Sequence, residues 1–149
     1  VMAPINTKNV HRSNFLLGHP YGRDFVYDEM MMTTIGDAGR AMAEAIAKAN
    51  PFGDAKILPG DGPSKEEREN GFYDVLFIGE YPDGTSVRVS VSGDKDPGYG
   101  STSKMISESA LTLLETDTPG GVTTPGAVMA APLLTRLEKN AGLTFLVEG

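Results

Sequence analysis

Phe72 to Tyr81 and Thr85 to Ser92 are separated by Pro82-Asp83-Gly84, and this pairing constrains the fold more than any other stretch. Two such runs across a short Gly-containing turn form an antiparallel hairpin. In the second run Val87, Val89 and Val91 point to one face while Arg88, Ser90 and Ser92 point to the other. Strand residues alternate faces, so this strand has one dry side and one polar side.

The hairpin feeds directly into Gly93-Asp94-Lys95-Asp96-Pro97-Gly98-Tyr99-Gly100-Ser101-Thr102-Ser103-Lys104-Met105, which opens a helix over about 101–115. A helix beginning at a Ser-Thr-Ser run presents unpaired backbone N–H groups beside three hydroxyls and Lys104. That chemistry suits an anion or a carboxylate, and it equally suits an ordinary capped helix start. Tyr99, Ser101, Thr102 and Lys104 are therefore candidate ligand contacts, and the polar strand face can line the same cleft. Gly98 to Ser103 nearly matches GxGxxG, but a serine replaces the third glycine and Gly93–Pro97 separates the strand from the first. No convincing strand with an acidic end follows about twenty residues on, as a dinucleotide fingerprint requires. The segment is not read as a Rossmann turn.

Elsewhere, Val1 to Pro4 reads as a loose leader, and Asn6 or Thr7 can cap a helix to about Leu17. Gly18-His19-Pro20-Tyr21-Gly22 breaks it. Arg23 to Met32 reads as a strand with apolar residues on both faces, covered on both sides at its far end. Its Met30-Met31-Met32 run serves either as core filler or as an adaptable patch for a lipid-like substrate. Asp37 caps a helix to about Ala49 with Ala38, Met42, Ala45, Ile46 and Ala49 on its apolar stripe. A long polar connection, Phe52 to Asn70, follows, with Ser64 and Glu67 spaced as a capping box. Met105, Ile106, Ala110, Leu113 and Leu114 form the expected core stripe of the helix from Ser101. Thr124-Pro125 opens a last helix to about Ala141, kinked at Pro132, before a short edge strand over Leu143–Glu148. The expected fold class is α+β: a mixed, largely antiparallel sheet with helices packed on it.

At 149 residues the chain is expected to form one α+β domain. With no cysteine it has neither a disulfide framework nor a thiolate metal site, and a reducing, cytoplasmic location is expected. His11 and His19 are too isolated to form a metal cluster, so no metal ligand is assigned. A net charge of −7 with dispersed Lys and Arg argues against nucleic acid as a partner. No signal peptide and no apolar run of about 18 residues is present, so no transmembrane segment is expected. The chain starts at Val1 rather than Met, which is compatible with its being a piece of something longer.

Four stretches carry a family likeness: His11–Asn14, Tyr21–Glu29, Asp94–Met105 and Gly120–Pro125. Together they resemble the C-terminal half of the saccharopine dehydrogenase-like NAD(P)-dependent oxidoreductases, nearest the bacterial branch that includes trans-acting enoyl reductases. The resemblance spans nearly the whole chain and is most specific from Asp96 to Met105. It implies a substrate and oligomerisation domain, with NAD(P) held by an N-terminal Rossmann domain that this sequence does not contain, and no cofactor site of its own. The hydride chemistry then belongs to the cofactor, and this part orients a small-molecule substrate. Substrate contacts are expected at Tyr99, Ser101, Thr102 and Lys104, with Arg12 and Arg23 as carboxylate partners or plain surface ion pairs. No catalytic acid or base is assigned, and the isolated chain is expected to be inactive. A homodimer is expected. A non-catalytic module for an anionic or acyl ligand and a purely structural dimerisation domain stand as alternatives.

Overall fold

The computed structural model describes residues 2–49 and 61–148. The segment 50–60, which includes the first part of the long polar connection, lies outside the described residues. Internal contacts divide the chain into two units, Val1–Asp61 and Gly62–Gly149.

The first unit contains α1 (Ala3–Leu16) and α2 (Gly36–Lys48). α1 starts earlier than Asn6 or Thr7 because Pro4 stands in its first turn, where a missing N–H is harmless and the fixed φ suits a helix. It ends in a Schellman arrangement: Gly18 (φ 81°) donates to the Phe15 carbonyl at 3.0 Å and His19 to that of Asn14 at 2.7 Å. The buried Asn14 side chain then braces the turn, donating to the Gly22 carbonyl at 2.8 Å and accepting the Tyr21 N–H at 3.1 Å.

Arg23 to Met32 is not a strand; it runs without ladder pairing. Alternation supplies two faces but no hydrogen-bond partner, and no other strand is described in this unit. Side chains fasten the segment to α1 instead. Phe25 lies 5.6 Å from the His11 ring, and Glu29 Oε1 accepts from Asn6 Nδ2 at 2.7 Å and from the Tyr27 hydroxyl at 2.9 Å. Met30, Met31 and Met32 are exposed, so they do not fill a core here. In α2 the N-cap is Ile35, and Asp37 sits in the first turn, where a carboxylate complements the helix dipole. The expected stripe of Ala38, Met42 and Ala45 is exposed, while Gly39 is buried where any Cβ would strike the Thr34 carbonyl.

The second unit runs α3 (Lys65–Asn70), β1 (Tyr73–Glu80), β2 (Ser86–Gly93), α4 (Gly100–Glu115), α5 (Pro125–Val128), α6 (Ala130–Asn140) and β3 (Leu143–Glu148). The Ser64–Glu67 capping box forms: Glu67 N–H donates to Ser64 Oγ at 3.2 Å and Ser64 N–H to Glu67 Oε2 at 2.8 Å. The hairpin forms with Tyr73 opposite Gly93 and Glu80 opposite Ser86, and β3 pairs antiparallel on the other side of β2. The fold is α+β. Its three-stranded sheet is antiparallel throughout the described residues rather than mixed, because the strand expected before α2 does not exist.

Met129, Leu133, Leu137 and Ala141 recur every four residues on α6 and its flanks and meet Leu143 of β3 in the core. Val91 and Phe145, directly opposite in register, supply the sheet side, and Met105 supplies the α4 side. The single kinked helix expected from Thr124 to Ala141 is two helices that part at Met129 (φ −147°). A proline ring collides with the carbonyl four residues before it, which for Pro132 is that of Val128. The break therefore falls before the proline, and Pro132 occupies the tolerant first turn of α6. Gly142 (φ 72°) ends that helix.

α4 is rotated away from the expected stripe. Met105 reaches the core, but Ile106, Leu113 and Leu114 are exposed, and Ser101 and Thr112 are buried instead. A polar lattice sets this rotation: Arg136 Nε bonds Glu108 Oε2 at 2.8 Å, Arg136 Nη1 bonds Glu115 at 2.8 Å, and Asn140 Nδ2 donates to Glu108 Oε2 at 3.1 Å. Ser109, Thr112 and Thr116 can lie on the same side because each hydroxyl donates to the carbonyl four residues back.

Candidate functional site

The turn between β2 and α4 is the candidate site. At Gly93, the last residue of β2, the Tyr73 ring leaves no room for a Cβ. The Tyr73 hydroxyl and Ser101 Oγ share a 2.8 Å hydrogen bond, which ties β1 to the first turn of α4. Next in the chain, Asp94 N–H reaches the Gly142 carbonyl at 3.3 Å, and the Asp94 carboxylate lies 3.9 Å from Lys104 Nζ. The same carboxylate fills the space a Cβ at Gly142 would need.

Asp96 is the centre of the turn. Its Oδ1 accepts from Gly98 N–H and Tyr99 N–H, each at 3.0 Å, and its Oδ2 accepts from Gly100 N–H at 2.5 Å. Its carbonyl accepts the Ser101 N–H at 2.9 Å, while its own N–H reaches the Arg68 carbonyl at 3.2 Å. Lys95 Nζ donates to the neighbouring Glu69 carbonyl at 3.2 Å, so the turn satisfies the exposed end of α3. Burial pushes the Asp96 carboxyl upward. The N–H groups of Gly100, Tyr99 and Gly98, with the Arg68 charge, outweigh that and hold it below its ordinary value. Two glycines make the close packing possible: a Cβ on Gly71 would meet the Asp96 backbone, and one on Gly100 would meet the Arg68 carbonyl.

The expected contact residues are thereby sorted. Ser101 is buried against Tyr73, so its hydroxyl is spent inside the fold. Thr102 donates its hydroxyl to the Pro97 carbonyl at 2.7 Å. Tyr99, the N-cap of α4, is 54% exposed, with one edge of its ring against Gly62. Lys104 is half-buried beside Asp94. These four belong to one turn. Arg12 and Arg23 belong to the first unit, where the Arg12 guanidinium lies 5.6 Å above the Phe15 ring.

Sequence reasoning overlooked Asp96 and Tyr73. Asp96 had a legible signal, since an Asp two residues before a glycine and just ahead of a helix favours side-chain bonds to the N–H groups that follow. Tyr73 had none, because its link to Ser101 joins residues 28 apart. The Gly98, Tyr99 and Gly100 amides are all taken by a carboxylate of the chain itself. No group of three or more His, Cys, Asp or Glu among the described residues could hold a metal ion. No described helix is long and apolar enough to cross a membrane.

No family model and no solved structure matches the chain. Curated relatives do. Over 92% of its length the chain is 35% identical to a Mycobacterium tuberculosis protein named as a candidate trans-acting enoyl reductase. It is 33% identical over the same share to a trans-acting enoyl reductase of Mycobacterium bovis. A Mycobacterium ulcerans protein of that name is 32% identical over 93% of the chain. The chain spans 38% of the length of each of these relatives. Its similarity to trans-acting enoyl reductases thus runs almost end to end along the chain while covering well under half of theirs.

Proposed function

We propose that the chain is the substrate-binding and oligomerisation part of an NAD(P)-dependent oxidoreductase of the saccharopine dehydrogenase-like kind, acting on an α,β-unsaturated acyl group. One observation carries this reading: the similarity to proteins named enoyl reductases across 92% of the chain. The cofactor supplies the hydride, and its binding part is assigned to the remainder of such a protein, because the glycine turn ahead of α4 has its amides filled by Asp96. In this reading the β2–α4 turn meets the acyl substrate through the exposed Tyr99 ring and the Lys104 ammonium. Ser101 and Thr102 act from behind by holding the turn.

Spectral mapping of the 149-residue chain with a trans-2-octenoyl pantetheine thioester tests the substrate contact. Shifts at Tyr99, Thr102 and Lys104 are expected, and shifts confined to other residues would overturn the assignment. Calorimetry with NADH and NADPH is expected to show no micromolar binding to this chain. Such binding would restore the Gly98–Ser103 segment as a nucleotide loop.

The apolar side of α4 favours self-association as the second role. Ile106, Leu113 and Leu114 lie on one side of that helix and are exposed, a pattern normally covered by a partner surface. Light scattering is expected to give a dimer, and a persistent 15.8 kDa species at high concentration would rule it out.

A further inference from the structure

Asp96 receives three backbone N–H groups on its carboxylate and a fourth on its carbonyl, and it sends its own N–H to α3. Five hydrogen bonds meeting at one residue are far more than a helix cap needs, since one side-chain acceptor serves that purpose. Moreover, two of the elements joined there can approach only because glycine stands at Gly71 and Gly100. The middle of the three captured amides is that of Tyr99, the most exposed aromatic residue of the turn. Its neighbours on both sides are held by the same carboxylate, so its backbone has no freedom to rotate independently. Its ring is confined on one edge by Gly62, where a Cβ would lie only 3.0 Å from Cε1.

We propose that Asp96 is the positioning residue for Tyr99: it fixes the backbone from Gly98 to Gly100 so that the ring stands at one orientation on the surface of the turn. The proposal deepens the substrate-site reading and rests on it for its purpose, but its physical content is independent of any ligand. Asp96 does not touch substrate. Its carboxylate takes the Gly98, Tyr99 and Gly100 amides, so an external anion does not find them, and the exposed Tyr99 ring remains as the contact of the turn.

Fluorotyrosine incorporated in the whole chain, with the Tyr99 signal assigned by Tyr99→Phe, reads the ring directly by fluorine resonance. The chain as it stands should give a single Tyr99 line. Asp96→Ala should split that line or broaden it about twofold, as expected when a ring held in one orientation samples several. Asp96→Asn, which keeps one acceptor oxygen for Gly98 and Tyr99, should restore the single line while moving the Gly100 amide proton upfield. An unchanged Tyr99 line in Asp96→Ala overturns the proposal. If Asp96→Ala does not fold, Asp96→Ser takes its place: its shorter hydroxyl reaches fewer of the three amides, so a Tyr99 line that splits or broadens supports the proposal and an unchanged one overturns it. The octenoyl thioester separates the two readings. A thioester that shifts nothing near Tyr99 in the unsubstituted chain removes the substrate site and leaves the positioning result standing.

Discussion

A single buried oxygen shows how much a residue can decide here. Ser101 Oγ and the Tyr73 hydroxyl meet at 2.8 Å, and this bond joins strand to helix behind the candidate site. A double-mutant cycle with Ser101→Ala and Tyr73→Phe is expected to give a coupling of about 0.5–1.5 kcal/mol in unfolding free energy. A coupling near zero would mean that the helix start is held by Asp96 alone. The Glu108 carboxylate acts instead through its charge. The Asn140 hydrogen bond lowers its carboxyl from the ordinary 4.5; burial opposes this, and Arg136 adds to the lowering. A carboxyl with a depressed folded-state value stabilises the fold fully above its unfolded value and loses that contribution as pH falls through the folded one. Stability relative to Glu108→Gln should therefore be constant above about pH 5 and shrink below about pH 4. A difference that grows on acidification would contradict the assignment.

At the scale of elements, α4 and α6 show two ways in which a helix acquires its inward face. α6 follows its apolar pattern, with Leu133 and Leu137 buried four residues apart. α4 does not, because the Arg136–Glu108–Glu115 lattice turns its polar side toward α6 and leaves Leu114 84% exposed. The two helices should answer differently to substitution. Leu137→Ala should cost about 2–5 kcal/mol, the range for truncating a buried leucine. Leu114→Asp should change stability by no more than about 0.5 kcal/mol while weakening self-association. Chemical denaturation and light scattering of the two variants separate these outcomes. A large stability loss in Leu114→Asp would show that this face is buried within the chain.

For the whole molecule, the elements written in short-range chemistry were legible in advance. The Pro82-Asp83-Gly84 hairpin, the Ser64–Glu67 box, α4 after its glycine turn and β3 after Gly142 all stand where residue type and spacing put them. Each depends on contacts within a few residues, which the sequence lists in order. The similarity to enoyl reductases likewise resides in the sequence, over 92% of the chain. What tertiary structure alone decided are the features that need a distant partner. Arg23–Met32 alternates like a strand yet has no ladder partner among the described residues, because a ladder requires a second backbone that its own pattern cannot supply. α4 turns Ile106, Leu113 and Leu114 outward and buries Ser101 and Thr112, because Glu108 and Glu115 meet Arg136 of α6. The Ser101 hydroxyl, expected to face a ligand, is instead spent on Tyr73, 28 residues away in the sequence. Local propensity fixes which residues can form an element. Which groups that element still has to offer depends on long-range hydrogen bonds and packing, and these exist only once the chain has folded.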